Sequence, residues 1–125
     1  MTKRILVVED DQSTLKAVKF LLSDYYEVVT AGNGAEAMEW LSDSDLPDLI
    51  ITDIEMPRMS GLEMIEALDD DLRFSQVPVI VMSSNCYKDS CLEREYANYY
   101  GCLDKPLVPS ELLLKIEKVF LAKAS

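Results

Sequence analysis

The 125-residue sequence predicts one α/β domain, a doubly wound parallel sheet of five strands in a flavodoxin-like arrangement, with five helices on its two faces. Five short apolar runs alternate with longer segments whose apolar residues recur at helical spacing, a pattern typical of repeated βα units. The short runs are continuous rather than alternating with polar residues. Their strands are therefore expected to be covered on both faces, as in a parallel sheet.

The predicted elements follow a strict βα order along the chain. The predicted strands are Ile5 to Val8, Val28 to Ala31, Leu49 to Thr52, Val79 to Met82 and Cys102 to Leu103. The predicted helices are Ser13 to Ser23, Gly34 to Leu41, Gly61 to Asp70, Lys88 to Tyr99 and Pro109 to Lys123. Residues at the helix ends agree, since Asn33 with Glu36 can form a capping box and Pro109 suits a first helical position.

Composition and charge narrow the classes of function. Hydrophobic residues make up 49% of the chain, enough for the core of one domain over residues 1–125. The 23 acidic residues outnumber the 12 basic ones and give a net charge of -11, which disfavours direct binding to nucleic acid or to a membrane surface. Because residues 1–4 lead directly into a strand rather than into a signal-peptide core, we expect a cytoplasmic protein.

The cysteines and the absence of histidine limit the chemistry further. Cys86, Cys91 and Cys102 lack Cys-x-x-Cys spacing, and the chain has no histidine to join them on a metal, so we expect reduced, structural thiols. Without histidine the chain has no catalytic base of that kind and no phosphohistidine. Any chemistry must use carboxylates, hydroxyls and lysine.

Polar residues follow four of the five predicted strands at the point where each strand ends. In a sheet of this kind the common strand order is 2-1-3-4-5, and ligands bind beyond the carboxyl ends of the strands where that order reverses, between strands one and three. These exits are Glu9-Asp10-Asp11, Asp53, Ser83-Ser84 and Asp104-Lys105-Pro106. We therefore expect several carboxylates, a hydroxyl and a lysine to converge on one edge of the sheet.

Clustered carboxylates repel one another, and a hard divalent cation relieves that repulsion. Mg²⁺ prefers oxygen ligands and is commonly held by one or two carboxylates together with a phosphate group. An aspartate such as Asp53 can itself accept a phosphoryl group. Taken singly, Asp11 can be a helix cap, Asp53 a turn residue and Lys105 a surface lysine, but the right group at four strand exits favours a site.

Four sequence blocks and the intervals between them match a known family. The blocks are I-L-V-V-E-D-D at 5–11, I-I-T-D-I-E-M-P-R-M-S-G at 50–61, P-V-I-V-M-S-S at 78–84 and D-K-P at 104–106. Over essentially its whole length the chain resembles the receiver domain of two-component response regulators, and most of all the chemotaxis-type single-domain regulators. The resemblance implies a signalling phosphoacceptor that assists its own phosphorylation and dephosphorylation, and not an enzyme with a separate substrate.

The resemblance also assigns the acceptor and the metal ligands. Asp53 would take the phosphoryl group from a phosphohistidine on a sensor histidine kinase or a phosphotransfer protein. Glu9 and Asp10 fall on the acidic pair that binds Mg²⁺ in this family, and Asp53 and the backbone carbonyl of Glu55 would complete the protein ligands.

Other positions of the family pattern concern how the phosphoryl group is sensed. Ser83 matches the hydroxyl that hydrogen-bonds the phosphoryl group, and Lys105 matches the lysine that pairs with its oxygens, with a cis bond between Lys105 and Pro106. The aromatic residue usual three positions before the lysine is replaced by Cys102, so the usual coupling between hydroxyl and ring is not expected here. The target is expected to bind the face made by the fourth helix, the fifth strand and the fifth helix.

Three other functions fit parts of the pattern less well. A phosphatase with an aspartyl nucleophile, of the haloacid dehalogenase type, would need the motif D-x-D-x-T/V, but Ile54, Glu55, Met56 and Pro57 follow Asp53. A flavin carrier on the same fold would need a phosphate loop where the acidic run now stands. A receiver that acts only as an interaction module, without phosphorylation, is disfavoured because the set of site residues is intact.

Overall fold

Five strands form one parallel sheet in the computed structural model, which describes residues 2–43, 46–56, 58–86 and 96–124. The strands are β1 (Arg4–Val8), β2 (Glu27–Ala31), β3 (Leu49–Asp53), β4 (Val79–Ser83) and β5 (Tyr99–Asp104). Their order is β2-β1-β3-β4-β5, and every neighbouring pair is parallel. The predicted fold class and strand order are confirmed.

The described residues contain four helices, and each begins within one residue of a predicted one. They are α1 (Gln12–Leu22), α2 (Gly34–Asp43), α3 (Gly61–Asp69) and α4 (Pro109–Ala124). The α4 helix is the fifth helix predicted from the sequence. The fourth predicted helix, Lys88 to Tyr99, lies outside the described residues over 88–95, and its last predicted residue, Tyr99, begins β5 instead. In the described part of the chain, no helix is long and apolar enough to cross a membrane.

Apolar side chains cover both faces of the sheet, as the continuous apolar runs predict. Successive strand residues point to opposite faces, so each strand contributes to two cores. Leu6 and Ile50 pack in a core that includes buried residues of α2 and α3. Ile5 and Ile51 pack in a second core with buried residues of α1 and α4. All five residues of the central strand β3 are buried, which makes its last residue, Asp53, an unusual one to find there.

Short side chains fix where the helices begin. Asp11 caps α1 by accepting hydrogen bonds from the Thr14 backbone N–H at 3.2 Å and the Thr14 hydroxyl at 2.6 Å. Ser60 and Glu63 form a capping box at the start of α3. These caps orient α1 and α3 so that each leaves directly from the edge of the sheet where β1 and β3 end.

The predicted capping box at α2 is only half formed. Asn33 accepts a hydrogen bond from the Glu36 N–H at 2.8 Å, as predicted. The Glu36 carboxylate, however, accepts from the N–H of Gly32 at 3.2 Å rather than from that of Asn33. The glutamate reaches one residue further back along the chain than the sequence pattern implies.

The fifth strand is longer than the predicted Cys102 to Leu103. It starts at Tyr99 and contains a register shift, because Val79 pairs with Tyr99 whereas Ile80 pairs with Gly101. Gly101 has a φ of 144°, a backbone conformation that residues with a Cβ atom rarely adopt. Glycine at 101 therefore allows the irregular pairing within β5.

A disulfide bond joins Cys86 to Cys102, with the two Cα atoms 5.7 Å apart. The prediction of reduced thiols is wrong for these two residues, and Cys91 lies outside the described residues. The two cysteines are 16 residues apart in the sequence, and this spacing alone does not indicate that they form a bond. The contact arises because β4 and β5 are neighbours in the sheet, with Val81 opposite Cys102, so the chain leaving β4 passes beside β5.

Replacing Gly61 by alanine tests how tightly α3 is held against the end of β3. A Cβ at Gly61 would lie 2.3 Å from the Asp53 carbonyl oxygen and 3.0 Å from the Ile54 Cα, and backbone atoms cannot yield as a flexible side chain can. We expect Gly61→Ala to lower the free energy of unfolding by about 1–3 kcal/mol in urea denaturation.

The matched control is Gly32→Ala. The nearest atom to a Cβ at Gly32 is the Glu36 carboxylate oxygen at 3.3 Å, which belongs to a flexible side chain. We expect a change within about 0.5 kcal/mol for this variant, because the Glu36 side chain can move aside. Equal losses in the two variants would contradict the close approach of α3 to β3.

Candidate functional site

The predicted site residues meet at the carboxyl-terminal edge of the sheet. Asp53 ends β3, Ser83 ends β4, Glu9 follows β1, and Lys105 follows β5. Glu9, Asp53 and Ser83 are 1%, 7% and 3% exposed, which is far less than polar residues at strand ends usually show. The strand order accounts for the meeting, because β1 and β3 are neighbours on either side of the point where the order reverses.

Three carboxylates form a cluster at this edge. One oxygen each from Glu9, Asp10 and Asp53 lies within 4.8 Å of the others, with Asp10 exposed and the other two buried. The donor set is entirely of oxygen, carries several negative charges and opens to solvent on the Asp10 side. These properties fit Mg²⁺, which prefers oxygen ligands and keeps some of its waters.

Lys105 bridges the two buried carboxylates. Its Nζ donates to Asp53 Oδ2 at 2.9 Å and to Glu9 Oε2 at 3.1 Å, with Glu9 Oε1 at 3.4 Å. Burial disfavours the charged ammonium, but the hydrogen bonds to Asp53 and Glu9 outweigh that effect and raise the pKa of Lys105. The lysine is therefore a firmly protonated counterion at the centre of the site.

Burial and a neighbouring negative charge both act on the carboxylate of Glu9. Its burial raises its pKa above the ordinary value, and the neighbouring charge of Asp53 raises it further. The hydrogen bonds from Lys105 and from the Asp11 N–H, the latter at 3.2 Å, act in the opposite direction without cancelling the shift. An added cation would favour the ionised form of this side chain.

Ser83 and Lys105 are linked through the backbone as well as by proximity. The Lys105 N–H donates to the Ser83 carbonyl at 2.9 Å, and the Ser83 hydroxyl accepts a hydrogen bond from the Asn85 N–H at 3.0 Å. The Lys105-Pro106 peptide bond is cis, as the resemblance implies. The hydroxyl and the ammonium are thus positioned by neighbouring strands, β4 and β5.

Two further acidic residues, Asp11 and Glu55, lie near the site but outside the carboxylate cluster. Asp11 caps α1, which confirms the structural alternative raised for it. Its pKa is lowered, chiefly by the hydrogen bond from the Thr14 hydroxyl. Glu55 is exposed in the segment that follows β3, and the part of its backbone carbonyl in metal binding stays a prediction.

Sequence reasoning missed the contacts that hold the chain after β4. The Cys86 N–H donates to Asp104 Oδ1 at 3.0 Å, beside the disulfide bond to Cys102. Asp104 was visible as part of the D-K-P block, but no feature of that block indicates which backbone group its carboxylate would bind.

An apolar groove of about 790 Å³ adjoins the site. It lies between α1 and the segment that joins β5 to α4, and Lys105 and Pro106 are among the residues that line it. Phe20 lines it and is 86% exposed, an unusually large exposure for an aromatic ring. The groove therefore presents apolar surface next to the lysine of the site.

Comparison with known proteins identifies the family. Residues 5–117 match the model of the response regulator receiver domain, which is 113 of the 125 residues. The chain belongs to this family. Its members are the phosphoacceptor components of two-component signalling, and this receiver shares with them the acidic pocket at the end of the sheet.

Individual relatives of the receiver fall into two groups by length. The chain is 30% identical over 119 residues to the chemotaxis protein CheY of Pseudomonas aeruginosa, covering 94% of this chain and 95% of that protein. It is 33% identical over 111 residues to the response regulator DivK of Brucella ovis, covering 86% and 87%. It is 34% identical over 119 residues to the hybrid signal transduction histidine kinase D of Dictyostelium discoideum, but spans only 8% of that protein and 95% of this chain.

Solved structures agree with the sequence comparison. The chemotaxis response regulator CheY4 of Vibrio cholerae superposes with a TM-score of 0.85 at 29% identity, covering 95% of this receiver and 99% of that chain. The similarity to CheY proteins and to DivK supports a CheY-like receiver.

The electrostatics of the receiver's site can be tested by NMR titration of the Glu9 carboxyl carbon without metal. We expect a pKa above the ordinary value for glutamate. Lys105→Met should raise that pKa further because it removes the hydrogen bond that stabilises the ionised form, and Asp53→Asn should lower it because it removes a repelling charge. A raised pKa means that the folded state holds the Glu9 proton more tightly than the unfolded state does. The contribution of Glu9 to stability is therefore full below its pKa in the unfolded state and is lost as pH rises through its pKa in the folded state.

The matched control for this titration is Lys118→Met, which removes an exposed lysine of α4. We expect it to leave the Glu9 titration unchanged. A lower Glu9 pKa in Lys105→Met would contradict the lysine bridge.

Proposed function

We propose that this receiver is the phosphoacceptor of a two-component or phosphorelay system, and that Mg²⁺-dependent transfer from a phosphohistidine to Asp53 switches a protein-binding face. The observation that carries the proposal is the position of Asp53. It is a buried carboxylate at the end of the central strand, within 4.8 Å of the ligand oxygens of Glu9 and Asp10 and 2.9 Å from the Lys105 ammonium.

In the proposed reaction an oxygen of Asp53 attacks the phosphorus atom of the phosphohistidine. The new O–P bond forms as the P–N bond breaks, and the bonding electron pair leaves with the imidazole nitrogen. The product is an aspartyl phosphate. Such a transfer needs positioning and charge neutralisation more than a protein base, which suits a site without histidine.

The remaining residues would act on the charge that the phosphoryl group brings. Glu9, Asp10, Asp53 and the backbone carbonyl of Glu55 would hold Mg²⁺, which supplies charge neutralisation at the phosphoryl oxygens when it is bound. Lys105 would exchange its contact with Asp53 Oδ2 for contacts with the phosphoryl oxygens. The Ser83 hydroxyl would donate a hydrogen bond to the same group from the neighbouring strand.

The partners proposed for this receiver are proteins. A sensor histidine kinase or a histidine phosphotransfer protein would supply the phosphoryl group, and the groove that Lys105 lines offers such a donor an apolar surface. A downstream protein would bind the face that includes β5, α4 and the segment before β5. The net charge of -11 disfavours direct contact with nucleic acid or membranes. We propose a cytoplasmic location.

Phosphorylation can be tested with acetyl phosphate as a small phosphodonor. We expect the intact protein to gain the mass of one phosphoryl group when Mg²⁺ is present. Asp53→Asn should abolish the gain because it removes the nucleophile, and chelation of the metal should reduce the rate by at least about tenfold, equivalent to about 1.4 kcal/mol.

Asp24→Asn is the matched control, because Asp24 is an exposed aspartate in the turn after α1. It should gain the phosphoryl group as the unmodified chain does. No gain by the unmodified chain with metal present would favour the alternative function, an interaction module that works without phosphorylation. Release of inorganic phosphate in many turnovers from unrelated phosphate esters would favour a phosphatase.

A further inference from the structure

The Cys86–Cys102 disulfide bond has no part in the proposed phosphoryl transfer. It nevertheless joins the two segments whose side chains, Ser83 and Lys105, would contact the phosphoryl group. Cys86 lies three residues after Ser83, and Cys102 lies three residues before Lys105. The bond therefore ties the chain that leaves the hydroxyl of the site to the strand that carries its ammonium.

Hydrogen bonds hold the same stretch of chain. The Asn85 N–H donates to the Ser83 hydroxyl at 3.0 Å, and the Cys86 N–H donates to Asp104 Oδ1 at 3.0 Å. Any displacement of Ser83 toward a group on Asp53 must be accommodated by residues 84–86. With the disulfide formed, those residues are anchored to β5 by a covalent bond in addition to the hydrogen bond to Asp104.

Both cysteines are partly exposed, although Cys102 also packs against the core beneath α2 and α3. A small thiol or disulfide can therefore reach the bond, whereas a fully buried structural cysteine is inert. In a reducing compartment a lasting structural disulfide is rare, and those that form are usually transient and redox-sensing. Exposure and the proposed location together favour a bond that is made and broken.

We propose that Cys86 and Cys102 form a reversible dithiol–disulfide pair that controls how far residues 84–86 can move when Asp53 is phosphorylated. The effect on signalling rests on the proposed phosphorylation of Asp53, whereas the redox reaction rests on the exposure of the cysteines and the proposed location. The dithiol form would let these residues follow the phosphoryl group. The disulfide form would hold them against β5 and weaken the response of the outer face without preventing phosphorylation of Asp53.

The redox step is an exchange with a low-molecular-weight disulfide, of which oxidised glutathione is a suitable probe. One cysteine thiolate attacks the small disulfide, forms a mixed disulfide and releases one thiol. The second cysteine then attacks the mixed disulfide, closes the Cys86–Cys102 bond and releases the second thiol. Two protein thiols and one small disulfide are converted into one protein disulfide and two small thiols, and reduced glutathione reverses the reaction.

The first test concerns the redox pair alone and uses Cys91→Ala, which leaves Cys86 and Cys102 as the two cysteines of the chain. We expect oxidised glutathione to remove two hydrogens from the protein, peptide mapping to link Cys86 to Cys102, and excess reduced glutathione to restore both thiols. Cys86→Ser and Cys102→Ser in the same background should form no intramolecular bond. Failure to form the bond, or a bond that glutathione cannot reduce, would overturn the proposal.

The second test measures the response to phosphorylation in each redox form of Cys91→Ala. Phosphorylation by acetyl phosphate and Mg²⁺ is followed by intact mass, and the movement of residues 84–86 by amide hydrogen exchange. We expect similar phosphorylation in both forms, with a phosphorylation-dependent change in exchange at least about threefold smaller in the disulfide form, because a cross-link limits local opening. The double variant Cys86→Ser with Cys102→Ser should behave as the dithiol form under oxidising conditions.

The outcomes separate the two proposals. Equal exchange changes in the oxidised and reduced forms, with phosphorylation intact, would overturn control by the disulfide and leave the proposed function standing. Absence of phosphorylation in both redox forms would overturn the proposed function and the signalling role together, while the first test would still decide whether the pair is a reversible redox couple.

Discussion

The contact of Lys105 with Glu9 and Asp53 is the interaction on which the rest of the site depends. Two carboxylates that are 1% and 7% exposed are costly to keep ionised, since removing one charge from water costs several kcal/mol unless a partner compensates it. The lysine provides that compensation from a position 96 residues after Glu9 and 52 after Asp53. It can do so only if β1, β3 and β5 belong to one sheet with their carboxyl ends at the same edge.

This requirement is consistent with the side-chain caps that fix the first residues of α1 and α3 next to the site. Asp11 caps α1 directly after the acidic pair, and Ser60 caps α3 after the chain has returned to β3. The Gly61 N–H donates to the Ile54 carbonyl at 2.9 Å, so α3 begins against the residue that follows Asp53. The carboxylates are thus held by short connections on a rigid sheet, which limits the rearrangement needed when a cation or a phosphoryl group arrives.

The lysine bridge also links the chemistry of the site to the outer part of the domain. Lys105 extends from the end of β5, and β5 pairs with β4, whose last residue is Ser83. A chemical change at Asp53 would therefore act first on the side chains of Lys105 and Ser83, at the ends of two adjacent strands. The Cys86–Cys102 bond lies just beyond both of them, where it connects the chain after β4 to β5.

The sequence alone determined the fold class, the strand order and the group of residues at the sheet edge. It could do so because parallel strands covered on both faces require continuous apolar runs, and because a βα repeat places every strand exit on the same edge. Only the tertiary structure decided that Lys105 bridges Glu9 and Asp53, that β5 begins at Tyr99 with an irregular Gly101, and that Cys86 is bonded to Cys102. These features depend on the register and the distance between strands that are far apart in the chain. Local patterns of residues predict neither the register nor the distance.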